Sequence, residues 1–143
     1  MRTKKAKRYD KQFEREIEKS IVRFSEYLMS NSKWVRLIER LVDNSNWIEK
    51  IEFKKVQNEK IGELYLEEGT TYGFDYWQNG FEGINSLGGW LTFKEIEYLI
   101  FLKAVTNEPS NEQYLIRIQE LIESVGQFAL DTNEERIKLI CYR

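Results

Sequence analysis

Nineteen residues, Tyr72 to Trp90, hold six aromatics and five glycines, with Asp75 and Glu82 as their only charges. Glycine frees the backbone for turns and close approach, and aromatic rings supply large contact areas. So many glycines disfavour a helix, and the stretch predicts short strands joined by tight turns near a surface. The remainder of the chain has to form the scaffold that holds it.

Upstream, Phe13, Ile17, Ile21, Phe24 and Leu28 recur at helical intervals, which predicts one amphipathic helix running to about residue 28. Ser30-Asn31-Ser32 breaks it and caps a second helix with the stripe Trp34, Leu37, Ile38, Leu41 and Val42. From Trp47 the period changes to two. Ile51 and Phe53 alternate with Glu52 and Lys54, a turn follows at 57–60, and IGELYL returns, which predicts an antiparallel hairpin.

Downstream, residues 92–103 carry two conflicting signals. Thr92 with Glu95 matches a capping box, whereas the β-branched and aromatic run from Ile96 to Leu102 favours a central strand apolar on both faces. We expect the strand. Ser110 with Gln113 makes a second capping box before the stripe Tyr114, Ile118, Leu121, Ile122 and Val125, so a helix is expected over 111–125, closed by Gly126. A terminal hairpin with Ile137, Leu139 and Cys141 on one face completes an α+β fold. It has an antiparallel sheet of about five or six strands, an N-terminal helical pair, and the 111–125 helix packed on the sheet.

A length of 143 residues, 41% of them hydrophobic, suits one domain with a real core. No apolar run approaches the ~20 residues that span a bilayer, and no apolar segment follows the basic N-terminus, so a cytoplasmic protein without membrane contact is expected. The single cysteine, Cys141, sits in an alternating apolar run and is expected to be buried. Histidine is absent, which removes the commonest general base and metal ligand and, with a single cysteine, nearly excludes a structural zinc site. Oxygen chemistry by Glu63, Glu67, Glu68, Asp75 and Glu82 remains, but no calcium-loop spacing is present. We expect neither cofactor nor metal.

Charge is uneven: residues 1–30 hold nine Lys/Arg against five Asp/Glu, +4, and residues 31–143 hold thirteen against nineteen, −6, summing to the net −2. The chain is therefore expected to comprise a basic amphipathic extension, 1–30, and one domain, 31–143. The basic residues in 2–15 admit a nucleic-acid contact; a solvated helix face explains them as well.

Three patches occur in order: Asn31-Ser32-Lys33-Trp34, GGWLTFKEIEYLIF from Gly88, and ESVGQFALDTNEERIKLICYR to the end. They resemble a family of small bacterial proteins of unknown function that opens with Asn-Thr/Ser-Lys-Trp, carries a Lys-Glu-Ile-Glu-Trp-like segment and ends in an Ile-Gly-x-Phe hairpin. This chain differs in having Trp90 at a position usually proline and Tyr98 where the family has Trp. The family is similar in size and style to the immunity proteins that neutralise bacterial toxins, which implies a non-enzymatic inhibitor. The residues favoured for meeting a protein partner, such as a basic toxin domain, are Asp75, Tyr76, Trp77, Phe81 and Glu82. Nucleic-acid binding through 2–15, and a carboxylate- or metal-dependent enzyme, are the alternatives.

Overall fold

A computed structural model describes residues 11–48, 50–72, 80–82, 84–88, 90–104 and 113–143. Helix α1 spans Lys11–Ile21 and α2 spans Asn31–Asp43. Ser30 caps α2, its side chain accepting from Lys33 N at 3.1 Å. All five stripe residues of α2 are buried, from Trp34 to Val42. The 3.6-residue period, with one polar face left over, decides that element.

Helix α1 ends seven residues before the expected Leu28. Beyond it the chain runs extended beside the C-terminus, where Ser25 N and Glu26 N donate to Arg143 O (2.7 and 3.2 Å) and Leu28 N donates to Cys141 O (2.8 Å). Tyr27 bridges Tyr142, and their rings stack at 4.7 Å. Those partners satisfy backbone groups that a longer helix would have had to satisfy internally. Phe24 still packs against the core, from extended chain rather than from a helix. Ile17 and Met29 are buried in the same core, so the boundary expected at residue 30 does not divide it.

Two antiparallel sheets follow. Strands β1 (Ile51–Lys55), β2 (Ile61–Tyr65), β5 (Ile84–Asn85), β7 (Ile96–Leu102), β8 (Ala129–Thr132) and β9 (Arg136–Ile140) form six strands in the order β5-β2-β1-β7-β9-β8. Strands β3 (Thr71–Tyr72), β4 (Gly80–Glu82) and β6 (Trp90–Thr92) form a three-stranded sheet in the order β3-β4-β6. The fold is α+β as the periods require.

Both signals at 92–103 are real. Thr92 N and Oγ1 donate to Glu95 Oε2 at 2.7 and 3.0 Å, closing the capping box around one 3₁₀ turn, Phe93–Glu95. The chain then enters β7, an interior strand paired on its two sides with β1 and β9. Ile51, Phe53, Leu64, Leu99, Phe101, Ile137 and Leu139 are buried on the inner face with α2 and a third helix. Gly62 lies there under the Phe53 ring, where a Cβ would come within 2.5 Å of Phe53 Cζ.

Helix α3 spans Leu115–Val125 and buries Ile118 and Ile122. Tyr114, expected in its stripe, is the N-cap residue and 73% exposed. Ser110 lies outside the described residues, as does the capping box that rests on it. Gln113 pins the start of this helix: its Nε2 donates to Leu102 O (2.7 Å) and Lys50 O (3.2 Å), and its Oε1 accepts from Lys50 N (3.2 Å). The terminal hairpin buries Ile137, Leu139 and Cys141 together, as the alternation predicts. Among the described residues no helix is long and apolar enough to cross a membrane.

Candidate binding face

The second face of the six-stranded sheet has its side chains directed away from α2 and α3. Cross-strand register sets its rows. One row reads Asp131, Lys138, Ile100, Glu52, Glu63 across β8, β9, β7, β1 and β2. The next reads Ala129, Ile140, Tyr98, Lys54, Ile61. A third places Arg136 beside Leu102 on β9 and β7, while Tyr65 on β2 pairs with Ile84 on β5. Ile61, Tyr65 and Ile84 are 45%, 38% and 56% exposed, and Tyr98, Ile100, Leu102 and Ile140 are half-buried. An antiparallel sheet tolerates one face in water, but polar residues usually alternate onto it. Here β7 contributes an apolar ridge instead.

The charges on this face are held in place. Lys138 Nζ stands 4.2 Å from the Tyr98 ring centroid. Burial, then the negative charges of Glu97, Glu59 and Glu52, push the Tyr98 phenol upward. Tyr65 donates to Glu63 Oε1 at 2.7 Å, and that hydrogen bond raises its phenol in turn. Glu52 stands directly opposite Glu63 on neighbouring strands, a like-charge pair that costs sheet stability. Lys50 offsets part of this from 3.7 Å. Lys54 does not add to the open face: it is buried, and its ammonium donates to Glu97 Oε1 at 2.7 Å. Arg23 reaches the same Glu97 oxygen at 3.0 Å, tying the segment after α1 to β7.

A second polar cluster lies at the irregularity where the register of β1 and β7 shifts between Lys54 and Lys55. Glu95 is fully buried; besides Thr92 it accepts from Gln57 Nε2 at 3.0 Å and pairs with Lys55 at 3.4 Å. A cleft of about 310 Å³ opens beside it, lined by Phe13 and Glu16 of α1 and by Lys55, Leu87, Trp90 and Glu95. Because the Glu95 carboxylate is already bonded on both oxygens, its first role is to hold this turn. A larger cavity of about 580 Å³ lies between the start of α3 and the β8–β9 turn, lined mainly by apolar groups such as Leu115, Ile116 and Ile137.

The residues singled out in the aromatic–glycine stretch separate. Asp75, Tyr76 and Trp77 lie outside the described residues. Phe81 is fully buried and stacks on Phe93 at 6.0 Å, and Phe93 stacks on Trp34 of α2 at 5.4 Å. Phe81 therefore packs the small sheet onto the helices and offers no surface to a partner. Glu82 is half-buried, opposite Thr71 and Trp90. Trp34 is core, as its place on the apolar stripe implies. Of the carboxylates considered for acid–base or metal chemistry, Glu63 is on the open face, Glu67 and Glu68 are exposed in a turn, and Asp75 is outside the described residues. Among the described residues no group of three or more Asp, Glu or Cys is placed to hold a metal ion.

No family model, curated protein or solved structure matches this chain. The site therefore rests on its own geometry. Sequence reasoning missed the open face because it treated β1, β2 and β7 as separate runs. EYLIFL does read as apolar on both faces, which the expected central strand took as covered; the signal left unread was IGELYL, whose apolar residues also occupy both parities and so cannot all face one core.

Proposed function

We propose that this protein is a non-enzymatic protein-binding module, and within that class a cytoplasmic immunity-type inhibitor of a bacterial toxin. The observation that carries the reading is the open sheet face, where exposed Ile61, Tyr65 and Ile84 of β2 and β5 share one side of the sheet with the half-buried ridge of β7, across β1. Large apolar side chains left exposed together on one face mark interaction sites, and tyrosine is a favoured anchor within them. The side-by-side carboxylates Glu52 and Glu63 give a cationic partner a place to dock and support the narrower reading. So does the −6 balance of residues 31–143, which favours encounter with a basic domain such as a nuclease. The resemblance to a bacterial family supplies the analogy to immunity proteins, and analogy alone supports the bacterial setting.

The test is calorimetric titration against the purified product of the gene adjacent to this one. A 1:1 complex is expected, weakened at least about tenfold by Tyr65→Ala and by Ile61→Asp, with melting temperatures near the parent's because both side chains are exposed. No complex, or variants that bind like the parent, overturns the proposal.

A further inference from the structure

We infer that the free protein covers this same sheet face with a second copy of itself, related by a two-fold axis running along β7. The inference rests on the reading of the face as a docking surface, and adds what occupies it when no other partner is present.

β7 places Tyr98, Ile100 and Leu102 in one apolar column. On one side β9 carries Arg136 and Lys138; on the other, β1 and β2 carry Glu52 and Glu63. Next to the apolar centre the two signs thus lie on opposite sides, with Asp131 of β8 a carboxylate at the rim of the basic side. A two-fold axis along that centre exchanges the halves, as an isologous interface requires. It stacks the β7 columns on each other and sets Lys138 against Glu52 of the second copy, twice. Lys54, the other cation of the central strands, does not disturb the match, because it is buried against Glu97. Lys138 is already held over Tyr98, so little side-chain freedom remains to be lost on docking. A uniformly basic partner meets only the acidic half, whereas a second copy meets both.

Size limits the strength. Five strands at ~4.8 Å spacing and three side-chain rows at ~7 Å spacing give roughly 400–500 Å² per copy. That is near the low end of specific interfaces, where ~800 Å² per partner is standard. At the rim, Asp131 would meet Glu63 of the second copy, a like-charge contact eased by Arg136 at 3.5 Å and Lys50 at 3.7 Å from their own carboxylates. The dimer is therefore weak and reversible, and a tighter partner displaces it.

The experiment is sedimentation equilibrium of the full chain at low salt, from micromolar to near-millimolar concentration, with melting temperatures recorded for each variant. The parent is expected to be a concentration-dependent dimer. Lys138→Glu and Glu52→Lys should each weaken it about tenfold or more, and the double variant should regain most of the loss. Ile100→Lys, which opposes two like charges on the axis, should abolish it. A parent that stays monomeric throughout, single variants that dimerise like the parent, or a double variant no better than either single, overturns the inference. Titration with the adjacent gene's product separates the two readings. A monomeric parent that still binds that product refutes only the dimer. A charge-swappable dimer that binds no such product leaves the dimer standing and refutes the inhibitor.

Discussion

Replacing Glu95 by alanine should be among the most damaging single changes in this protein. The carboxylate is fully buried and receives Thr92 N at 2.7 Å, Thr92 Oγ1 at 3.0 Å and Gln57 Nε2 at 3.0 Å, with Lys55 at 3.4 Å. Its removal orphans a buried backbone N–H and an amide, each costing about 1–3 kcal/mol when left unpaired. Breaking a buried ion pair by deleting one member costs about 3–5 kcal/mol in general. Lys55 retains 14% side-chain exposure and opens onto the cleft, so its ammonium recovers some hydration and the smaller end applies. Taking the lower end of each part, we expect a total of about 5 kcal/mol, and a fall in melting temperature of roughly 10 °C or more for a chain of this size. Glu95→Gln keeps an acceptor for Thr92 and, once the Gln57 amide turns its oxygen to the new NH2, should lose about half as much. The assay is urea unfolding followed by both far-ultraviolet circular dichroism and tryptophan fluorescence. Lys55→Met, alone and with Glu95→Gln, completes a double-mutant cycle. A loss below about 1 kcal/mol for Glu95→Ala, with the cycle showing no coupling, would refute the idea that this carboxylate organises the turn.

Gly62→Ala should cost about 1–3 kcal/mol by overpacking, since the new Cβ meets the Phe53 ring at 2.5 Å; adding Phe53→Leu should recover part of the loss in the same urea assay. Deleting residues 1–29 removes buried Ile17 and Met29 and the Tyr27–Tyr142 stack, so a chain starting at Ser30 should lose roughly 3–6 kcal/mol or fail to melt cooperatively. A full-strength melt would show instead that the segment is an addition. Burial pushes the Tyr27 phenol and the Cys141 thiol up from 10.0 and 9.0, so the native state holds protons that the unfolded chain releases. The stability they contribute is complete below those unfolded values and declines as pH rises past them, which unfolding at pH 7, 9 and 10.5 should register as a loss at the alkaline end. Cys141 should react with a thiol reagent only as fast as the protein opens; immediate labelling of the native state would place it at the surface.

Periodicity in the sequence was enough for every element whose hydrogen bonds and apolar face are local. The α2 stripe, the β1–β2 hairpin and the terminal β8–β9 hairpin occur where 3.6- and 2-residue repeats place them, because one amphipathic face leaves one solution. The capping box at Thr92–Glu95 was legible too, although its length was not: four residues specify a turn, and the β-branched run after it specifies the strand.

Tertiary partners decided the rest. Phe24 and Leu28 continue a helical stripe in sequence, but the N–H groups at 25, 26 and 28 are claimed by the carbonyls of Cys141 and Arg143, more than a hundred residues away. Phe81 resembles an interface aromatic until Phe93 and Trp34 close over it. The open face exists only through cross-strand register, which sets Glu52 beside Glu63 and Lys138 beside Ile100 from four separate stretches of chain. Local pattern fixes which face of a strand is apolar; which strands become neighbours depends on long-range pairing, and only that pairing turns scattered side chains into a surface.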